Sequence, residues 1–231
     1  MGVVVIDIGG GTTDVAIFVD GALSYSSVVP IGAINITKDI AAGLRVSLES
    51  AEKIKLILGQ SPKFPTMPGE EEKAKQKKGE SEDDLDLRGL GLPEEMTSVS
   101  KKTLVEGIVK PRLNEIFTMV GLEIKRSGFG GLTPSGVVIA GGGALTVGAV
   151  EAARRNLAMP VHVGMPMYMS GLIDEINSPA FSTSVGLLLY GAKSGKTESG
   201  ATFSGLAKVK DRIKIAGVAG KVVDLIKSFL P

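Results

Sequence analysis

The stretch Val3-Val4-Val5-Ile6-Asp7-Ile8-Gly9-Gly10-Gly11-Thr12-Thr13-Asp14-Val15-Ala16-Ile17-Phe18 constrains the chain more than any other. A β-branched run ends in a carboxylate, turns through three glycines and two threonines, passes a second carboxylate and resumes as a β-rich run. Two such runs about a glycine turn predict a β-hairpin. Glycine lets a backbone approach a ligand closely, and successive turn amides make a concavity suited to phosphate oxygens. Asp7 and Asp14 would flank that phosphate and hold a hydrated Mg2+. The competing reading is a tight hairpin between core strands with no ligand.

Asp20-Gly21 marks the next turn and Ala22–Val29 a third strand, so the chain opens as an antiparallel meander. A helix is expected over about Ala33–Gly43, with Ile34, Ile36, Ile40 and Ala41 on one face. A second follows Ser47 as N-cap and stops at Gly59 as C′. From Ser61 to Glu95 prolines give way to alternating charges, which predicts a solvated or disordered insertion with a short strand at Leu87–Leu92. Residues 103–126 carry Leu104, Ile108, Leu113, Ile116, Phe117, Val120 and Ile124 at helical spacing, with Pro111 kinking the helix or marking its start.

A second glycine motif follows a buried strand at Gly136–Ala140: Gly141-Gly142-Gly143-Ala144-Leu145, then a helix from about Val147 to Leu157. That order aims amides and a helix N-terminus at a phosphate or sugar. It is not a dinucleotide-binding fingerprint, because Thr146 stands where the third glycine belongs. The P-loop-like Gly191–Thr197 is one residue short and follows a helix, so it reads as the start of a linker. The lone histidine, His162, sits in an apolar strand and is expected to be packed. Residues 179–190 read as a helix.

Composition narrows the function classes. Twenty-six basic and 25 acidic residues leave a formal net charge of +1, which argues against nucleic acid as a partner. The absence of cysteine excludes disulfides and thiolate metal sites and fits a cytoplasmic setting. The charge-poor stretches at 135–150 and 156–173 are interrupted by small and polar residues and do not read as membrane spans. Past the Gly/Ser/Thr/Lys-rich residues 193–217, Val218, Val222, Leu225, Ile226, Phe229 and Leu230 share one helical face, opposite Lys221, Asp224, Lys227 and Ser228. Such a helix either lies in a membrane interface or docks back on the domain.

The two glycine motifs, in this order, resemble the phosphate-2 and adenosine motifs of the actin, hexokinase and Hsp70 superfamily of ATPases. Within it the chain resembles the FtsA family of bacterial cell-division proteins. Asp7–Ala16 is similar to the phosphate-2 hairpin, Ala51-Glu52-Lys53-Ile54-Lys55 to an A-E-x-x-K helix, and Gly141–Leu145 to the adenosine loop. Val105–Arg112, Ser170–Leu172 and Ser182–Leu187 match further segments. The resemblance implies an α/β, RNase H-like (actin-like ATPase) domain at residues 1–35 and 132–192, with a smaller α+β subdomain inserted at 36–131. A flexible linker at 193–217 and an amphipathic membrane-targeting helix at 218–231 would follow.

It also implies ATP and Mg2+ as cofactors. Gly9, Gly10, Gly11 and Thr12, with Thr13 beside them, would hold the β- and γ-phosphates. Asp7 would position Mg2+ and the attacking water, with Asp14 in support. Glu52 and Lys55 would hold ribose and base, and Gly141, Gly142 and Gly143 would sit beside the α-phosphate and adenosine. The inserted subdomain would take the C-terminal tail of FtsZ, linking its filaments to the inner face of the cytoplasmic membrane at the division septum. The motifs correspond to the second half of the actin fold, so a fragment lacking the first half of the ATP site is expected, with at most weak ATPase activity. An apolar face turned towards that missing half would favour self-association. The alternatives are a half of another actin-like ATPase: a PilM-like peptide-binding protein of pilus assembly, or an Hsp70- or sugar-kinase-like enzyme.

Overall fold

A computed structural model describes residues 2–60, 83–94, 96–167 and 176–194. The chain divides into two compact units, residues 1–186 and 187–231. In the first, β1 (Val3–Ile8), β2 (Thr13–Val19) and β3 (Ala22–Val29) form the expected meander. Two later strands, β6 (Val137–Ala140) and β7 (Val161–Val163), extend it to a five-stranded sheet ordered β3-β2-β1-β6-β7. Strands β1, β2 and β3 pair antiparallel, while β1, β6 and β7 pair parallel. Alternation along β1 buries Val4, Ile6 and Ile8 on one face, and Val15 and Ile17 of β2 lie with them in the core.

The helices complete that core. Helix α1 (Ala33–Leu44) buries Ala33, Ile36, Thr37 and Ile40, so Thr37 holds an inward place and Ile34 stands exposed. Helix α2 (Leu48–Gln60) starts as expected at Ser47, whose Oγ accepts from the Ser50 amide at 3.1 Å. It does not stop at Gly59. The helix takes in Gly59 and Gln60, and a Cβ on Gly59 would lie 2.8 Å from the Leu145 carbonyl oxygen, so this glycine serves close packing in the last turn.

Residues 61–82 lie outside the described residues; the segment after them carries regular structure. Strand β4 falls at Asp84–Asp86 rather than Leu87–Leu92, paired with β5 (Ser98–Ser100). Leu85 and Leu87 are buried, which draws the ribbon onto the domain. Glu94 then caps α2, accepting from the Ser47 amide at 2.7 Å and the Ser50 hydroxyl at 2.6 Å. These bonds, led by the Ser50 hydroxyl, hold its carboxyl down to about 2.

The expected long helix is three pieces: α3 (Lys101–Leu104), a π-helical turn at Val105–Val109 and α4 (Lys110–Ser127). Pro111 sits in the first turn of α4 and has no amide to donate four residues back, so the ladder changes register just before it. Lys110 accordingly donates to the Val105 carbonyl, five residues earlier. Leu113, Ile116, Phe117, Val120 and Ile124 are buried along α4, each contributing roughly 1.5–3 kcal/mol by leaving water.

Helix α5 (Ala149–Leu157) buries Ala149, Ala152 and Ala153, and β7 follows it. His162 is exposed on this edge strand instead of packed, because it alternates with the buried Val161. Helix α6 (Ser182–Ser194) starts in the first unit and takes in residues 191–194 of the P-loop-like segment. In the second unit, Leu187, Leu188 and Tyr190 are exposed. The terminal amphipathic segment and the linker beyond Ser194 lie outside the described residues. No helix among the described residues is long and apolar enough to cross a membrane.

Candidate functional site

The parallel pairing of β1 with β6 places both glycine motifs at one edge of the sheet. Asp7 stands opposite Asp14 on one side and Ala140 on the other, so the turns after Ile8 and Ala140 leave the sheet side by side. Loops at the carboxyl ends of such strands are where open α/β sheets bind ligands.

The first turn is closed from within by the Gly9 amide donating to Thr12 O at 2.9 Å. Helix α1 donates back to it, from Ala33 to Gly9 O at 2.9 Å and from Ile34 to Gly10 O at 2.8 Å. The first donors of α1 are therefore used by the loop, while the Gly10 and Gly11 amides have no backbone acceptor among the described residues. A Cβ on Gly10 or Gly11 would meet nothing within 4 Å, so both face open space.

In the second motif, Gly141 takes φ +79°, and a Cβ there would fall 2.2 Å from Asp7 Oδ1. A Cβ on Gly143 would fall 2.3 Å from the Ile8 side chain. These glycines let the two loops touch. The chain then makes a tight helical turn at Gly142–Leu145 and swings again at Gly148, φ +80°, before α5 begins. The N-terminus of α5 is thus set apart from the loop, contrary to the strand–glycine–helix expectation.

A cavity of about 500 Å³ opens between these loops and α1 and α2, within the roughly 300–1,000 Å³ usual for small-molecule sites. Gly9, Gly10, Glu52, Lys55, Gly142 and Gly143 line it together, although they come from three distant parts of the sequence. Ile34, Leu56, Gly59, Leu145 and Thr146 also line it, and of these only Leu145 belongs to a segment read from sequence as part of the site. Leu56 and Leu145 are 52% and 51% exposed, which leaves an apolar slot suited to a flat ring.

At the α2 wall, Lys55 Nζ donates to Glu52 Oε2 at 2.7 Å and to Thr37 Oγ1 at 2.9 Å, while the Thr37 hydroxyl donates to Glu52 Oε2 at 2.6 Å. Burial pushes the Glu52 carboxyl up, but the Lys55 and Thr37 hydrogen bonds and the Lys55 charge outweigh it and hold it below 4.5. Thr37 lies 18 residues before Lys55, and its inward position on α1 was the only signal that could have found it.

The remaining site residues lie around the cavity rather than on its wall. Asp7 accepts a hydrogen bond from the Thr183 hydroxyl at the start of α6, a partner not foreseen from sequence. Asp14 is exposed and accepts from the Thr12 hydroxyl at 3.3 Å. Thr13 is buried, and its hydroxyl donates to the Ile31 carbonyl at 2.8 Å, so it anchors the hairpin to the chain before α1. Among the described residues no group of three or more His, Cys, Asp or Glu could enclose a metal. Two neighbouring carboxylates suit an ion such as Mg2+, which keeps most of its waters.

A second cavity, of about 380 Å³, is lined by Asp39, Ala42, Gly107, Ile108, Pro111, Arg112 and Glu115. Arg112 spans it with a two-pronged bond to Asp39, at 2.6 and 2.9 Å, and a further bond to Glu115. Asp39 and Glu115 together hold the guanidinium above its ordinary value.

The family model of cell division protein FtsA matches residues 4–186. FtsA of Pseudomonas aeruginosa is 37% identical over 214 residues, covering 93% of this chain and 48% of that protein. The chain thus spans about half the length, or less, of the curated relatives it matches. Among solved structures, MreB5 of Spiroplasma citri bound to AMPPNP superposes with a TM-score of 0.59 at 18% identity, over 85% of this chain and 54% of that one. The PilM–PilN type IV pilus biogenesis complex gives 0.55 at 17%, over 82% and 46%. These two share the fold: an actin-like ATPase domain. By the match of its sequence over most of its length, the chain belongs to the FtsA family of cell division proteins.

Proposed function

We propose that this chain binds ATP with Mg2+ in the cavity between the two glycine loops, as part of a cell-division protein that links FtsZ filaments to the cytoplasmic membrane. The observation that carries the reading is the meeting of Gly9, Gly10, Glu52, Lys55, Gly142 and Gly143 around one space of nucleotide size. The Gly10 and Gly11 amides, which have no backbone acceptor among the described residues, would donate to phosphate oxygens, with the Thr12 hydroxyl beside them. Gly141, Gly142 and Gly143 would allow the α-phosphate and adenosine to come close. Leu56 and Leu145 would flank the base, and Glu52 and Lys55 would meet ribose and base. Asp7, turned by Thr183, and Asp14 would hold Mg2+ through water, where the ion would neutralise charge on the phosphates. The protein's part in such chemistry is positioning and electrostatics.

Titration of the chain with a fluorescent ATP analogue and Mg2+ tests this. Saturable binding weakened by Lys55→Met supports it, and binding unaffected by Lys55→Met and Gly10→Ala alike would sink it.

The division into a sheet-bearing part (1–35 and 132–192) and an insert (36–131) is supported by strand usage. All five strands of the large sheet come from the former, and the β4–β5 ribbon from the latter. The second cavity lies wholly in the insert, and a carboxylate-ended peptide such as an FtsZ tail would reach Arg112 there by displacing Asp39 or Glu115 from it. Fluorescence anisotropy with an FtsZ C-terminal peptide, comparing wild type with Arg112→Ala, tests that partner. Membrane attachment through Val218–Leu230 rests on the sequence pattern. Liposome sedimentation of the chain against a version ending at Ser194 tests it, equal binding removing the anchor.

A further inference from the structure

Thr37 is 1% exposed, yet neither glycine motif nor the A-E-x-x-K helix includes it. Its hydroxyl joins α1 to α2 by giving its proton to Glu52 Oε2, 2.6 Å away, and accepting one from Lys55 Nζ, 2.9 Å away. Lys55 Nζ also reaches Glu52 Oε2, at 2.7 Å. All the hydrogen bonds of the Glu52 carboxylate among the described residues therefore fall on one oxygen. Oε1 carries none, on a side chain 41% exposed at the cavity wall, while the Lys55 side chain is only 11% exposed.

A carboxylate on a surface helix ordinarily samples several rotamers. Here a buried hydroxyl on a neighbouring helix fixes one, and it also meets a donor of Lys55 that would otherwise be poorly paired near the interior. Resting on the nucleotide reading of the cavity, we propose that Thr37 is a positioning residue that pins Glu52 Oε2 and so presents Oε1 as the acceptor for a sugar hydroxyl of the bound nucleotide. A site built to accept from a hydroxyl discriminates against a ligand lacking it, because a charged acceptor is then left unpaired.

The test compares ATP with 2′,3′-dideoxy-ATP, each with Mg2+, on the full 231-residue chain. Wild type is expected to prefer ATP by about tenfold, the worth of one hydrogen bond to a charged group. Thr37→Val, which keeps the shape and removes the hydroxyl, is expected to lose most of that preference, and Thr37→Ser to keep it. If Thr37→Val does not fold, Thr37→Ala, which only removes atoms, takes its place.

Equal affinities of wild type for the two nucleotides, or an unchanged preference in Thr37→Val, would overturn the proposal. Should wild type bind neither nucleotide, the nucleotide reading fails by itself, and the Glu52 titration followed by carboxyl carbon NMR decides the pin. A midpoint raised in Thr37→Val and restored in Thr37→Ser supports it, and an unmoved midpoint overturns it.

Discussion

At one end of the central cavity the wall is backbone, from the Gly9–Gly10 and Gly142–Gly143 turns. Elsewhere it is the side chains of Glu52 and Lys55, which three hydrogen bonds join to each other and to the buried Thr37. The glycine end depends on the absence of atoms: Gly141 fits because a Cβ would collide with Asp7 Oδ1 and Ile8 O. The other end depends on ionisation and rotamer choice. The packed glycines such as Gly141 should therefore fail through folding, and the Glu52–Lys55 cluster through affinity.

The largest effect is expected at Gly141. Gly141→Ala places a methyl 2.2 Å from Asp7 Oδ1 at a φ of +79°, so it combines overpacking with backbone strain. Together these are expected to destabilise the chain by about 3 kcal/mol or more, read as a lowered midpoint of urea unfolding. A variant as stable as wild type would show that the loops part easily and that the glycine end is not a packed junction.

Lys55→Met comes next and should act on affinity. The methionine keeps the packing of the mostly buried stem but leaves Glu52 and Thr37 without their cation, and ATP affinity is expected to fall roughly tenfold. If unfolding shifts as far as for Gly141→Ala, the contrast between the two ends collapses.

Acid should reveal a smaller effect just outside the cavity. Folded Glu94 titrates at about 2, against an ordinary value of 4.5. As pH falls, the unfolded chain takes up the proton first, so stability from this cap is complete above about 4.5 and is lost between 4.5 and 2. Glu52, also depressed, adds in the same direction. Glu94→Gln should flatten the stability-against-pH curve over that window, and an identical curve would show that the cap on α2 carries no linkage.

The smallest effect on folding belongs to Gly10→Ala. Its Cβ meets nothing within 4 Å, so unfolding should move by less than about 0.5 kcal/mol. ATP affinity should nevertheless drop if the turn cradles phosphate. Stability and affinity falling together would place Gly10 with Gly141 as a packing residue.

Much of this contrast could be read before any coordinates. The meander, α1, the Ser47 start of α2 and β6 follow from period-two and period-3.6 patterns broken by glycine, which are local signals. Both glycine loops were visible for the same reason, while the A-E-x-x-K motif was legible only through its resemblance to the family's. The errors fall where a distant residue decides. Gly59 looks like a helix stop until the Leu145 carbonyl stands against it. Leu85 looks like part of a solvated insertion until the domain buries it. His162 looked packed among valines, yet the edge strand turns it outward.

The sequence alone determined that the chain has a glycine-turned hairpin, a second glycine loop and a capped helix carrying Glu52 and Lys55, because turn chemistry and periodicity are written in neighbouring residues. Only the tertiary structure decided that these three face one cavity, through the parallel pairing of β1 with β6 and the packing of α1 on α2. It also decided which members work at a distance: Thr183 on Asp7, Thr37 on Glu52 and Lys55, and Thr13 on the hairpin's anchorage. A hydroxyl has little signature in sequence, since its role depends on which charged group folding brings within hydrogen-bond reach.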